Sequence, residues 1–541
     1  MNNFMKEGNT NKMDKIIVRN TCIQINDYNF GDSPKLEHFF AVYEPVSHSY
    51  RFVGIYYDTE TKTLYIPRGI DIWYVEQLLE CKAKVEVNKY HKFDVYDNIG
   101  VKYLPRDEDQ KKALRFAVGK GEYVDTETKS QLSINLDTGK GKTYVAVGTM
   151  SFFGIKSMVI TYSKTVLTQW RNRVLEYTNI TNKEIYSIDG SGSIYRLLTM
   201  SRNEIYNIKL FLVTHSTLKS YGDANGWDKI TELFDRIRIG LKFYDEAHTN
   251  FDNMCMIDFF TNVYKTYYLT ATPARSNDEE NKIYQTSFKN VLAIDLFHED
   301  TDPHTHYIAM RYNSRPSPQV ISTCKNKYGL DRNKYTNYIV TNDNFMYMAC
   351  IAFDFIFTNI LKHPEDKLLV YIGTNNAISI FYRRIIEIFP ALKGNVGIFT
   401  SIVSDEDKEY ALTRKVILST TKSAGAAMDI PNLKCTLVLA EPFKSAVLAK
   451  QTLGRTRAKN TYYIEIVDKG FINCNKYFLQ KRNIFQVFAV DCKLVDISDV
   501  ELYDKGNNII ISGMLDNVRN ESWIKPFTVQ QQMIKPFTIN I

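Results

Sequence analysis

The sequence predicts an α/β protein: two tandem parallel-sheet domains, a small N-terminal α+β module and a short C-terminal extension. Three observations lead there. Short apolar runs alternate with helical stretches in two separate blocks of the chain. The runs of the first block end in small or polar residues, as strands of a parallel sheet do where they present functional groups at their carboxyl ends. Only the first block carries a glycine-rich stretch of the phosphate-cradling kind, Leu136-Asp-Thr-Gly-Lys-Gly-Lys-Thr143.

The elements follow in order. Residues 1–15 are polar and are expected to be disordered. From 16 to 100 the text is strand-like and reads as an accessory α+β module, expected to bind DNA. Arg51-Phe-Val-Gly-Ile-Tyr-Tyr57 and Thr63-Leu-Tyr-Ile-Pro67 flank a polar loop of hairpin length, and Ile72 to Lys84 reads as helix. Residues 101–295 form the first parallel-sheet domain, with buried-strand candidates at Met158-Val-Ile-Thr161, Leu210-Phe-Leu-Val-Thr214, Leu241-Lys-Phe-Tyr244 and Thr266-Tyr-Tyr-Leu-Thr270. Residues 296–340, with Pro303, Pro316 and Pro318 among polar residues, read as an irregular connector. The second domain spans 341–480, with strands at Lys367–Ile372, Asn395–Phe399, Val416–Thr420, Thr436–Leu439 and Thr461–Ile466. Residues 481–541 are the extension, in which Ile-Lys-Pro-Phe-Thr occurs at 524 and again at 534.

Composition narrows the class. The chain has 541 residues, enough for about three or four domains. A net charge of +7 is compatible with nucleic acid without establishing it. The abundance of Tyr and Phe alongside Lys, Asn and Ile is read first as the bias of an AT-rich genome. No run of about 18 apolar residues occurs, so no membrane helix is expected. The first residues contain no apolar export signal, and the eight cysteines include no CxxC pair, so a reducing cytoplasm is expected and zinc is not. His304 and His306 have no nearby cysteine and read as a solvated loop.

Two stretches carry the chemistry. A phosphate loop works because small residues let successive backbone N–H groups point at anionic oxygens, with a helix N-terminus behind them. Here Ser133 to Leu136 supplies the strand, and Thr138, Gly139, Lys140 and Gly141 supply the loop. Lys142 is placed to reach the β- and γ-phosphates and Thr143 to hold Mg²⁺. The first glycine of the common GxxxxGK[ST] pattern is replaced by Leu136. About a hundred residues later, Asp245-Glu-Ala-His248 ends an apolar run. Asp245 is expected in the Mg²⁺ shell, and Glu246 is expected to orient and polarise an attacking water.

With these motifs the chain resembles the superfamily 2 helicases and translocases of the DExH type, over about residues 101 to 470. Thr270-Ala-Thr-Pro273 looks like motif III, so the resemblance implies that Thr270, Thr272 and His248 couple hydrolysis to nucleic acid. Arg106 and Gln110 resemble the upstream glutamine motif, in which the glutamine reads adenine. Thr161-Tyr-Ser-Lys164 with Gln169-Trp170 looks like motif Ia, and Val213-Thr-His-Ser-Thr-Leu218 like the next motif, implying nucleic-acid contacts at Ser163, Lys164 and Thr214. Leu369 to Thr374 resembles motif IV, and Ser419 to Ile430 motif V. These imply contacts at Thr374 and Thr420 and a nucleotide-facing Asp429. Gln451-Thr-Leu-Gly-Arg455 resembles motif VI, with Gln451 and Arg455 catalytic and Arg455 the arginine finger. The family pattern QxxGRxxR expects an arginine at 458. That position is Ala458, with Arg457 one place early and assigned to the nucleotide.

The resemblance implies two RecA-like domains, ATP and Mg²⁺ as cofactors, and DNA as the partner. RNA is the alternative, because Asp-Glu-Ala-His also occurs among RNA-acting members; a DNA-annealing motor with little unwinding is the other. Gln169-Trp170, Asp245–His248 and Leu64-Tyr-Ile-Pro-Arg-Gly69 look like the branch of phage UvsW-like and XPB-like DNA helicases. That branch implies remodelling of branched or duplex DNA in replication, recombination or repair, in a phage or virus and hence in a host cytoplasm. In the tail, Gln530-Gln-Gln-Met533 ahead of Pro536-Phe537 loosely resembles a sliding-clamp-binding peptide; two strands packing back on the body is the other reading.

Overall fold

The computed structural model describes residues 15–44, 48–87, 89–136, 139–271, 278–296, 304–326, 329–424, 430–453 and 460–513. The tail repeat lies outside them. The chain divides into two compact units, with the boundary between residues 297 and 298.

The first unit opens with strands β1 (Ile16–Val18), β2 (Cys22–Ile25), β3 (Ala41–Glu44), β4 (Ser49–Phe52), β5 (Tyr56–Asp58), β6 (Thr63–Pro67) and β7 (Ala83–Val85). Five of them form a sheet in the order β5-β6-β2-β1-β7, while β3 and β4 pair as a separate hairpin. The expected strand Arg51–Tyr57 is therefore two strands. The chain turns at Gly54, whose φ is +73°, and the ring of Phe251 stands 2.6 Å from where a β-carbon would be. Only glycine permits both the conformation and the approach. The hairpin on either side of residues 58–62 forms as expected, with Asp58 opposite Thr63. The helix after it is shorter than expected, Ile72–Leu79, because Glu80 adopts a left-handed conformation that ends it.

Next come β8 (Gln131–Leu136), β9 (Ser157–Thr161), β10 (Ile185–Ile188), β11 (Leu210–Thr214), β12 (Leu241–Asp245), β13 (Lys265–Thr270) and β14 (Leu292–Leu296). Their order is β10-β11-β9-β12-β13-β8-β14, and every pairing is parallel. β8, β9, β11, β12 and β13 are buried along their whole length, which is why β9, β11, β12 and β13 read as largely apolar runs, whereas β8 alternates polar and apolar residues although both its faces are covered. The five-stranded module shares one hydrophobic core with this sheet and its helices. Tyr65 of β6 stacks on Phe259 at 6.0 Å, and Asn20 Nδ2 donates to the carbonyl of Val263 at 3.0 Å.

The second unit contains β15 (Thr305–Tyr312), a two-residue pair β16 (Lys325–Asn326) and β17 (Gly329–Leu330), then β18 (Lys367–Ile372), β19 (Val396–Phe399), β20 (Val416–Ser419), β21 (Leu433–Ala440), β22 (Thr461–Asp468) and β23 (Cys492–Asp496). Seven of these make a parallel sheet in the order β19-β20-β18-β21-β22-β15-β23. This corrects two expectations. The stretch 296–340 is not an irregular connector: it holds β15, which is inserted between β22 and β23, and a helix at Arg332–Ile339. The extension after 480 carries the edge strand β23 and the helix Asp499–Ser512, both part of this unit. Among the described residues no helix is long and apolar enough to cross a membrane.

A buried ion pair braces the second sheet. Lys481, on the helix Ile472–Phe488, is 1% exposed, pairs with Glu465 of β22, and lies 3.9 Å over the ring of Phe443. Glu465 also accepts from the Tyr307 hydroxyl at 2.7 Å. Removing one partner strands the other charge, so Lys481→Met is expected to cost about 3–5 kcal/mol, with Lys481→Met/Glu465→Gln recovering much of it. Urea unfolding of both variants checks this, and an equal loss in the double variant would contradict it.

Candidate active site

The carboxyl edge of the first sheet gathers the predicted residues. β8 ends at Leu136, and the helix Lys142–Phe153 begins six residues later with Gly141 as its N-cap. Gly139 and Gly141 have φ of +82° and +92°, so both need glycine. The N-terminus of this helix, opening at Gly141, suits an anionic oxygen. The glutamine segment closes it from one side. Gln110 is buried and donates through Nε2 to the Lys140 carbonyl at 3.2 Å, while its Oε1 accepts from the Arg106 amide at 2.8 Å. Arg106 Nη1 reaches the Gly139 carbonyl at 3.5 Å. A β-carbon on Gly141 would lie 2.0 Å from Gln110 Nε2, so loop and glutamine fit only as they are.

Two strands away, β12 delivers Asp245 and Glu246, each 6% exposed. Asp245 Oδ2 accepts from the indole Nε1 of Trp170 at 2.8 Å. Burial, then the charge of Glu246, pushes the Asp245 carboxyl up to about 6; Lys142 and the Trp170 bond pull the other way. Glu246 Oε1 lies 3.5 Å from Lys142 Nζ, which also donates to the Leu136 carbonyl at 3.3 Å. Glu246 itself sits at φ +51°, a left-handed conformation that costs a residue with a β-carbon about 1 kcal/mol or more and recurs at functional sites. Beyond it, His248 Nδ1 and Thr270 Oγ1 are 2.8 Å apart, joining the acidic motif to the end of β13. A desolvated acid pair beside a lysine and a glycine cradle can receive a phosphate chain together with a divalent cation, whose charge offsets the burial of the two acids.

The stretch that holds this site has known relatives. Residues 103–275 match the family described as type III restriction enzyme, res subunit. Over this stretch the chain resembles the superfamily 2 helicases. It is 25% identical over 349 residues to a transcript termination protein A18 of Yaba monkey tumor virus, covering 61% of this chain and 66% of that protein. It is 27% identical over 146 residues to a putative DNA 3'-5' helicase Rad25 of Haloarcula marismortui, covering 27% and 20%. The chain thus spans less than two thirds of these relatives. In fold it is similar to the DEAD-box helicase Mss116 bound to ssRNA and UDP-BeF, with a TM-score of 0.50 at 12% identity over 74% of this chain and 77% of that one.

The stretches that resemble helicase motifs share a local design. Ser163 and Thr374 follow a parallel strand and Thr214 ends one, and each caps the next helix, accepting from the amides of Val166, Ala377 and Thr217 respectively. Thr420 Oγ1 accepts from the Ser423 amide at 3.1 Å in the same manner. Their hydroxyls therefore stand at carboxyl edges of the two sheets, with Lys164 exposed beside Ser163. A cavity of about 400 Å³ lined by Gly190, Ser191, Tyr195, Ser216, Thr217 and Tyr221 lies beside Thr214 and away from Lys142. Thr143 is half-buried in the first turn of its helix. Thr138, Thr272, Asp429, Arg455 and Arg457 lie outside the described residues; Gln451 lies on the helix Ala446–Leu453.

Two residues escaped the sequence reading. Trp170 holds Asp245, although Gln169-Trp170 had marked the segment. Glu441, buried at the end of β21, accepts from the Thr421 amide at 2.9 Å and from its hydroxyl, bracing motif V. His215 is a different case. It follows Thr214 in the same motif-like stretch, yet it is 1% exposed and stacks on Tyr244 at 5.5 Å, and neither ring nitrogen has a hydrogen-bond partner among the described residues. Burial pushes its imidazole down to about 3 from 6.5. The unfolded chain then binds a proton that the folded chain refuses. Stability from this group is present above pH 6.5 and is lost toward pH 3, by up to about 1.4 kcal/mol per unit. His215→Phe, which keeps the stack, is expected to flatten the fall in unfolding free energy between pH 6.5 and about 5. Asp245 contributes equally to both proteins, so an unchanged slope would exclude the assignment.

Proposed function

We propose that this chain is an ATP- and Mg²⁺-dependent DNA helicase or translocase that remodels branched or duplex DNA, in replication, recombination or repair of a phage or virus. The observation that carries the reading is the buried set Lys142, Asp245 and Glu246 at the mouth of a glycine cradle. Lys142 and the loop amides bind and orient the phosphate chain, and Arg106 and Gln110 flank the base. Thr143 and Asp245 are the residues that would hold Mg²⁺, which when bound neutralises charge on the phosphate oxygens. Glu246 aligns a water and withdraws its proton as that water attacks. Trp170 keeps the Asp245 carboxylate aimed. Arg455 is assigned the charge on the transferring phosphoryl group from its motif, with Arg457 beside the nucleotide. His248 and Thr270 pass the change at Glu246 to β13.

The name of the archaeal relative supports DNA as the track. Ser163 and the exposed Lys164 are suited to a phosphodiester backbone, which they would grip without reading sequence; Thr214, Thr374 and Thr420, whose hydroxyls are bonded to Ser216 and Thr217, Asn337 and Ser423, are assigned to the track by their motifs. Affinity should therefore fall steeply with salt.

Lys142→Ala and Glu246→Gln are each expected to lower ATP turnover about 100-fold or more while DNA binding persists. Turnover of the wild type measured with single-stranded, duplex, forked and four-way DNA and with RNA decides the track. Stimulation by RNA alone would replace DNA in the reading, and normal turnover in both variants would remove the site.

A further inference from the structure

The helix Phe251–Phe260 starts three residues after His248 and is gripped from two sides. On the inner side, Asp258 is 4% exposed and accepts at Oδ1 from the Tyr244 hydroxyl at 2.8 Å and from Lys242 Nζ at 2.5 Å, and at Oδ2 from the Tyr268 hydroxyl at 2.6 Å. Tyr244 immediately precedes Asp245, and Tyr268 lies two residues before Thr270. One buried carboxylate thus fastens to the helix the two strands that end in the hydrolytic acids and the coupling threonine. Bonds from a buried, charged acceptor are among the stronger ones available to a fold.

On the outer side stands the N-terminal hairpin β3–β4. Arg51 of β4 donates through Nη1 to Asp252 at 2.9 Å, through Nη2 to Glu280 at 2.6 Å and through Nε to Glu44 of β3 at 2.8 Å. Asp252 is in the first turn of the Phe251–Phe260 helix and also accepts from the Gly54 amide at 2.8 Å. Glu280 is in the helix Asp278–Ser287, which follows Thr270-Ala-Thr-Pro273 in the chain. A single planar guanidinium therefore joins the hairpin to both segments that leave the acidic motif and motif III.

We propose that Arg51 is a positioning residue for the hydrolytic site, acting through the Phe251–Phe260 helix and Asp258, so that what binds the N-terminal hairpin is felt at Asp245 and Thr270. The inference rests on the helicase reading for its functional half. Arg51, Glu44 and Asp252 each keep about two-fifths of their side-chain surface in water, and ion pairs so open to solvent add about 0–1 kcal/mol to stability, so its role is in geometry and not in holding the fold. The fork fixes the separation of Asp252 and Glu280, which a lysine cannot do with one ammonium.

The test compares the full-length wild type with Arg51→Ala, Arg51→Lys and, from the opposite side, Glu280→Gln, by amide hydrogen exchange without nucleotide and by ATPase stimulation with nucleic acid. Faster exchange is expected in Phe251–Phe260 and Lys265–Thr270 for Arg51→Ala and, more weakly, for the other two. The stimulation factor should drop about fivefold or more. Exchange changes confined to residues 41–52 would overturn the inference, as would full stimulation in all three variants. A wild type that no nucleic acid stimulates would sink the helicase reading, and the exchange pattern would still decide whether Arg51 positions the site.

Discussion

Two carboxylates forced together at the end of one buried strand set the terms for everything around them. Asp245 and Glu246 cannot both be charged out of water without compensation. The fold answers with an indole N–H on one and a lysine ammonium near the other, and it turns the backbone of Glu246 into a left-handed conformation. That arrangement is poised for a cation and a phosphate chain and is uneasy without them. The parallel sheet makes it affordable, because strand ends converge on one edge where helix N-termini already favour anions. The same edge explains why threonines and serines recur there: each caps the helix that leaves the end of its strand.

Much of this was legible in the sequence. β12 could be found because it is a buried parallel strand, and a parallel strand buried on both faces is a plain apolar run. Lys142, Asp245 and Glu246 could be placed because a phosphate loop and an acidic pair are meaningful together and ambiguous apart. β15 was hidden by its own composition: Thr305-His-Tyr-Ile-Ala-Met-Arg-Tyr312 follows Pro303 and carries polar residues, yet six of its eight residues are buried between two neighbours. The break at Gly54 was hidden too, since it depends on Phe251, almost two hundred residues later.

Residues acting across such distances form the part that no local pattern reveals. Trp170 looks like any inward-facing aromatic on a helix until its indole is found on Asp245. Asp258 looks like a polar interruption in Phe251-Asp-Asn-Met-Cys-Met-Ile-Asp-Phe-Phe260, and its three donors come from strands that precede and follow it. Period and propensity speak about one element at a time. These contacts are decided by how elements stack.

The core common to the N-terminal sheet and the first parallel sheet has a further consequence. Ile23, Leu64 and Ile66 are buried in the same apolar mass as Ile257 and Phe259. A chain begun near residue 100 would turn that mass out into solvent, at about 25 cal/mol for each Å² uncovered. The module is therefore no detachable appendage: heat should melt it and the sheet beneath it in one step, and shortened versions of the protein should clump before they can be assayed.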